Sequence, residues 1–255
     1  MCQEGTRADS LQFLMDGKVS ISGDGIAAGQ IEPPAAIAFD EVLEGSPVKE
    51  TVRTIDAAIC LDLNSDEFLT LLSNNSPIVQ GLFRMQLGHS SAARLRQVIK
   101  TPGHARTARP VTETLTSIEK AIALQDVPIF SRATADHLVA LAAIARQLPF
   151  TTEGRLLSEG DRPAIYIVLA GRLALDPPAG GESVSAGPGD IVGMYEILSG
   201  DQMGWRTRTI EPGAVLRLDR DELFDLLADN VDLLQGIFSA LLRARTVASV
   251  AAAGR

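Results

Sequence analysis

Apolar positions along this chain switch between two spacings. Asp136 to Arg146 (DHLVALAAIAR) carries apolar residues at helical spacing, with Thr134 placed to cap it. Ile165 to Leu169 is a short continuous apolar run, which predicts a buried strand. Gly171 is expected to turn that strand into a second one at Leu173-Ala174-Leu175. Ser183 to Ser185 and Trp205 to Leu218 are further strand candidates, with Pro212-Gly213 marking a turn between the last two strands. The helical spacing then returns. Asp221 to Ala228 and Val231 to Arg245 place apolar residues at i, i+3, i+4 and i+7, with Asp219 as the expected cap.

The same pattern occurs twice. Residues 63–83 read LNSDEFLTLLSNNSPIVQGLF, and residues 218–238 read LDRDELFDLLADNVDLLQGIF. Asp66-Glu67, Leu72, Asn75, Gln80-Gly81 and Phe83 each recur 155 positions later. Upstream, Leu43, Gly45, Arg53-Thr54-Ile55 and Glu4-Gly5 recur at the same offset. Gly17 falls opposite Gly171, one residue out of phase. A long internal period of this kind sets the architecture before any single motif does. The second copy starts near Ile118 with a helix and a strand that the first copy lacks, because Met1 falls at the place of residue 156. Either the chain is a fragment of a longer protein, which is the reading favoured here, or its first copy has lost these leading elements.

Composition narrows the function classes. In 255 residues, 45% are apolar, only 4% aromatic, and the net charge is −9. The charge opposes nucleic-acid binding, and the scarcity of aromatics argues against base stacking. Cys2 and Cys60 cannot build a disulfide framework or a zinc site, and His89, His104 and His137 lack metal-ligand spacing. No apolar run is long enough to cross a membrane, and the N-terminus lacks signal-peptide order, so the expected location is the cytoplasm.

The order of elements resembles the cyclic-nucleotide-binding domain family. SEGDRPAIYIVLAGRLAL is similar to that family's leading hairpin. GPGDIVGMYEILSGDQMGWRTRTIEPGAVLRLDRDELFDLL is similar to its phosphate-binding cassette and closing helix. EGTRADSLQFLMDGKVSIS and VLEGSPVKETVRTIDAAICLDLNSDEFLTLL carry the same likeness in the first copy. The resemblance implies a mainly β fold with flanking helices (α+β), made of two β-roll, or jelly-roll, domains. The division expected is a truncated copy over 1–87, a basic linker over 88–117, a complete copy over 118–246 and a tail over 247–255.

The resemblance also implies a ligand cassette, and here the residues depart from the family. The family pattern is Phe-Gly-Glu, an apolar helical turn, then Gly-x-Pro-Arg and two small residues. Its Glu takes the ribose hydroxyl, and its Arg takes the cyclic phosphate. In the second copy Gly193 keeps its place, Met194 stands for the Glu and Tyr195 follows. Gly200 is kept, Gln202 stands for the Pro, Met203 for the Arg, and Gly204 and Trp205 for the small pair. In the first copy Ala38 and Phe39 stand for Gly-Glu, Gly45 survives, and Val48 stands for the Arg. Losing one partner of a buried charged contact costs ~2–5 kcal/mol. High-affinity binding of cAMP or cGMP is therefore expected to be lost from both copies. Glu196 and Arg206 are possible substitutes for the anchors, or else solvated surface charges.

Three other features remain open on sequence alone. Arg84, Arg94, Arg96, Lys100, Arg106 and Arg109 form an acid-free strip, either a basic docking surface or a solvated linker. Gly187 to Asp190 (GPGD) reads as a phosphate-cradling loop or as a plain turn. Leu223, Leu226, Leu227, Leu233, Leu234, Ile237, Phe238, Leu241 and Leu242 exceed one helix stripe, which predicts a docking face for a partner or for the linker. No catalytic constellation, metal site or cofactor is expected. The reading is a non-enzymatic regulatory or interaction module that works through a protein partner or an upstream domain, with no sequence-specific nucleic acid. The alternative is a small-molecule sensor of altered specificity. The sequence sets no oligomeric state.

Overall fold

The computed structural model describes residues 1–23, 26–73, 75–88, 98–99, 113–151, 162–178, 182–200 and 204–241. They form two compact units, Met1–Ser73 and Asn74–Arg255. The first unit contains β1 (Ser10–Asp16), β2 (Val19–Gly23), β3 (Ile26–Ile31), β4 (Ala35–Ile37), α1 (Phe39–Glu44), β5 (Thr51–Thr54), β6 (Ile59–Asn64) and α2 (Ser65–Leu72). Its strands make two antiparallel sheets of three, ordered β4-β1-β6 and β3-β2-β5. Leu14, Val19, Ile37 and Val52 form the core between them.

The second unit opens with α3 (Ser76–Gly88), β7 (Val98–Ile99), α4 (Ser117–Gln125), a 3-10 turn (Pro128–Phe130) and α5 (Ala135–Ile144). It continues with β8 (Arg146–Phe150), β9 (Ala164–Asp176), β10 (Val184–Ala186), β11 (Ile191–Val192), α6 (Met194–Ser199), β12 (Arg206–Asp219) and α7 (Arg220–Asp229). A last helix, α8, spans residues 231–241. One six-stranded sheet runs β7-β11-β9-β12-β8, with β10 attached to β9. Tyr166, Val168, Leu173, Leu175, Val192 and Val215 fill its core. Both units combine β-sheet with flanking helices, as expected.

The internal period reappears as strand register. Leu11 pairs with Leu63 as Ile165 does with Leu218, and Leu14 with Cys60 as Val168 with Val215. Val19 pairs with Thr54 as Leu173 does with Thr209. Outer strands follow: Gln12 with Ile37 recurs as Tyr166 with Val192, and Val19 with Ile31 as Leu173 with Ala186. Even the irregularity that sets Asp16 against Ile59 recurs, with Ala170 against Ala214.

Two expected turns prove to be bends inside continuous strands. Gly171 does not start a hairpin, since β9 runs unbroken through it at φ 82°. Pro212-Gly213 does not separate two strands either, since both lie within β12. A Cβ on Gly171 would sit 2.6 Å from the carbonyl oxygens of Glu211 and Pro212, and one on Gly213 would sit 1.9 Å from that of Ala170. The two glycines let the paired strands bend against each other, which side chains would forbid. Gly17, at φ 86°, meets the Ala57 carbonyl in the same way.

Helix ends follow from their caps. Thr134 caps α5 as expected, and His137 completes the box by accepting from the Thr134 N–H through Nδ1. Asp219 holds the cap position of α7 but makes no capping bond. Its carboxylate is taken by Arg146 and by Arg217 Nε, the latter at 2.7 Å.

Sequence period groups α3 with the first copy, yet it packs in the second unit. There Phe83 stands 5.9 Å from both Phe224 and Phe238, ring to ring. These contacts bury part of the expected docking face inside the unit. Leu223, Leu227, Leu233, Leu234, Ile237 and Phe238 are all buried, and Leu226 and Leu241 are half-buried. Leu242 lies outside the described residues. Of the expected linker, Val98–Ile99 pairs antiparallel with β11 rather than lying on the last helix. Of its basic strip, only Arg84 is described, on α3.

Candidate ligand-binding cassettes

In the second unit β11 leads through Gly193 into α6. Gly193 caps the helix at φ 83°, and a Cβ there would lie 2.7 Å from the Ala164 carbonyl oxygen, so only glycine fits. Gly200 ends the helix at φ 78° and donates its N–H to the Glu196 carbonyl. Between them Met194, Ile197 and Leu198 are buried, so α6 is anchored by apolar side chains. Met194, which the sequence resemblance sets at the family's Glu position, is only 2% exposed. Tyr195 belongs to the same helix, while Gln202 and Met203 lie outside the described residues. Gly204 has φ 67°, and Trp205 is half-buried against the core of the roll.

The first unit repeats this arrangement with other chemistry. Ala38 caps α1 at φ 60°, an alanine in the left-handed region, and Gly45 closes it at φ 62°. Phe39 is buried, its ring 6.0 Å from that of Phe68. Val48, which the sequence resemblance sets at the family's Arg position, is buried too and is bonded through its backbone to Thr6 and Gly5. Asp40, Glu41 and Glu44 lie on α1 and Glu50 follows it, where the second unit has Tyr195, Glu196, Ser199 and Trp205. Burial pushes the Glu41 carboxyl above its ordinary value, and Asp40 and Glu44 add to the shift. Burial and the charges of Glu41 and Asp40 raise Glu50 likewise. The charge of Lys49 offsets part of both shifts, and its Nζ also pairs with Glu44 Oε2 at 2.6 Å. Such a setting repels an anionic phosphate.

Several sequence alternatives are decided by geometry. Thr207 is buried while Arg206 and Arg208 are exposed, so strand alternation points Arg206 away from the roll. The GPGD segment spends its N–H groups on itself and its neighbour. Gly187 donates to Asp190 Oδ2, Asp190 to the Gly187 carbonyl and Gly189 to the Val168 carbonyl. It is a turn that fixes β9, with no free cradle. Cys60 is half-buried in β6 beside the first core.

Sequence reasoning missed Arg220. Its Nε donates to the Ile197 carbonyl at 3.0 Å, a guanidinium nitrogen reaches Gln80 Oε1 at 3.1 Å, and the group lies 5.4 Å from the centre of the Phe224 ring. It thereby ties the last turn of α6 to α7 and α3. Its only sequence signal was an arginine at the first position of a helix, which by itself reads as a surface charge. Tyr166 was also missed as a distinct feature of the roll. Its hydroxyl is buried, and the Arg217 guanidinium lies 5.8 Å from the centre of its ring. Among the described residues no group of acids, histidines and cysteines could hold a metal ion, and no helix is long and apolar enough to cross a membrane.

No curated protein matches the chain by sequence. Similar solved structures include the regulatory domain of Toxoplasma gondii PKA in co-crystal with cAMP, at 18% identity, covering 92% of this chain and 79% of that one, with TM-score 0.40. The regulatory subunit of a cAMP-independent protein kinase A from Trypanosoma brucei is 17% identical, covering 92% and 75%, with TM-score 0.40. The N-terminal domain of a transcriptional regulator from Streptomyces coelicolor A3(2) is 19% identical, covering 49% and 92%, with TM-score 0.43. Among families, the model of the cyclic nucleotide-binding domain matches residues 148–230, the stretch from β8 through the cassette to the end of α7.

Proposed function

We propose that this chain is a non-enzymatic regulatory or interaction module built of two cyclic-nucleotide-binding-like rolls that have lost high-affinity binding of cAMP and cGMP. The first roll covers residues 1–87. The second covers residues 118–246, and the two communicate with a protein partner or an upstream domain. The pairwise recurrence of strand register supports the tandem reading.

The observation that carries the loss of binding is the burial of apolar side chains at the anchor positions. Met194, Phe39 and Val48 are part of the packing that holds each cassette helix. A ribose hydroxyl or a cyclic phosphate would meet hydrocarbon where it needs a carboxylate or a guanidinium. Calorimetric titration of the full chain with cAMP and with cGMP tests this. The expected result is no saturable heat at micromolar nucleotide, and saturable micromolar binding of either one overturns it.

A second reading is a sensor for a less anionic ligand. Trp205, half-buried against the roll core, favours it by offering an aromatic wall. The same titration with neutral nucleosides separates the two, because only the sensor reading predicts binding there with quenching of Trp205 fluorescence.

A further inference from the structure

The strand that leads into the second cassette is paired on both sides. β9 holds one edge of β11, with Tyr166 opposite Val192 and Ile167 opposite Ile191. β7 holds the other, with Val98 opposite Val192 and Ile99 opposite Ile191. β7 is the outermost strand of the six-stranded sheet. From β11 the chain passes through Gly193 straight into α6, where the Ile197 N–H donates to the Gly193 carbonyl at 3.2 Å. The other end of α6 is tied separately, by the Arg220 guanidinium on the Ile197 carbonyl. The first unit has β4 in the place of β11, with Gln12 opposite Ile37, and among the described residues β4 is itself the outermost strand. Its helix α1 forms between Ala38 and Gly45 all the same. The roll and its cassette helix thus take shape without a strand at this edge.

We propose that β7 is a latch on the second cassette: docked, it fixes β11 and the first turn of α6, and released, it lets both loosen while the rest of the sheet stays intact. A two-residue ladder on one side adds few hydrogen bonds, each of modest net worth, so it belongs to the low-stability end of the fold. Ile99 is half-buried, and Ile191 opposite it is fully buried, so release returns apolar surface to water and docking is favoured at rest. β7 lies between α3 and α4. A partner that takes hold of the chain there acts on α6 through this strand. A ligand that tightens α6 favours the docked strand in return, because coupling between two sites is reciprocal. The latch rests on strand pairing inside the second unit, and does not depend on what either cassette binds.

The test compares one variant with itself. In the full-length chain with Cys2→Ser and Cys60→Ser, the further pair Ile99→Cys and Ile191→Cys stands directly opposite in an antiparallel ladder, within reach of a disulfide. Its oxidised and reduced forms are followed by hydrogen exchange. Closing the disulfide should slow exchange over residues 191–197 about tenfold or more beyond any change at Val168 and Val215, core positions that report opening of the whole sheet. Ile99→Asp in the parent chain should act the opposite way. It should speed exchange over 191–197 about ten- to hundredfold, with Val168, Val215 and circular dichroism unchanged. The proposal is overturned if oxidation slows all these positions alike, since β7 then leaves only when the sheet unfolds. It is overturned equally if oxidation or Ile99→Asp leaves 191–197 unchanged, since α6 then opens without β7. Failure of the reduced pair to oxidise would mean that position 99 does not stand opposite 191, and overturns it too.

Discussion

Leu61 and Leu216 hold the same place in the same ladder, opposite Phe13 and Ile167. One is 60% exposed and the other fully buried. Their neighbours differ in the same sense: Ile59 is exposed where Ala214 is buried, and Leu63 is half-buried where Leu218 is buried. Register therefore does not decide what a strand face is for. In the second unit the segment from α4 to β8 brings Leu124, Ile129, Phe130, Leu138 and Leu141 into the core and closes the sheet edge. In the first unit the described residues include no such segment, and the outer face keeps its apolar residues in the open.

The largest expected effect exploits that contrast. Leu216→Ala should destabilise the second unit by about 2–5 kcal/mol, as cavity-forming core truncations do. Leu61→Ala should change the first unit by no more than about 0.5 kcal/mol, as surface changes do. Denaturant unfolding with Trp205 fluorescence reports on the second unit, and hydrogen exchange on both. Exchange should also find residues 59–63 of the parent chain opening at lower free energy than 214–218. Similar costs for the two leucines would show that something covers β6 in solution.

Next in size is the bend that the two units share. Gly171→Ala combines a left-handed residue, worth about 1–2 kcal/mol, with a backbone contact that must be forced apart, worth about 1–3 kcal/mol more. Gly17→Ala should strike the first unit in the same way, since its Cβ would lie 2.4 Å from the Ala57 carbonyl oxygen. Each substitution should lower the exchange protection of its own unit. If Gly17→Ala is neutral, the first unit does not hold the bend its register describes.

These bends show how far the sequence could be read. The continuous apolar run at Ile165 to Leu169 and the helical spacing after Asp219 placed a strand and helices well, because the pattern of apolar positions reports burial. Gly171 and Pro212-Gly213 were misassigned because glycine marks both a chain reversal and a close approach of two backbones, and only the pairing distinguishes them. The partner of α3 was illegible for a similar reason. Its amphipathic pattern says that a face is buried, but not that Phe83 meets Phe224 and Phe238. At the candidate cassettes, the apolar side chains of Met194, Phe39 and Val48 were legible in the sequence, and the structure buries all three. Arg220 was not, because its role depends on the Ile197 carbonyl at the end of α6.

A smaller effect belongs to the covered edge alone. Arg146 serves Asp219, whose side chain is largely buried and also holds Arg217 at 2.7 Å. Arg146 is itself more than half exposed, so solvent weakens its share. Arg146→Ala should therefore cost about 1 kcal/mol or less. A cost of several kcal/mol would mean that Arg217 alone cannot satisfy Asp219.

The smallest effect separates the two cassette helices by their charge. Glu41 and Glu196 are equivalent, but only Glu41 stands among Asp40, Glu44 and Glu50. Burial, with those acids, raises the Glu41 carboxyl in the folded chain. A raised acid binds its proton more tightly folded than unfolded, so folding is penalised once the group must ionise. The penalty is absent below the ordinary carboxyl range, grows as pH rises through the raised value and is full above it. Glu50 acts in the same direction. Glu41→Gln removes the ionisation, so the first unit of the variant should gain stability over the parent at neutral pH. The gain should fade towards pH 4, where both side chains are neutral. Hydrogen exchange at residues 39–54, measured at both pH values, reads the difference. A variant equally stable at pH 4 but weaker than the parent at pH 7 would mean that attraction to Lys49 outweighs burial, and α1 would then draw support from the charge it carries.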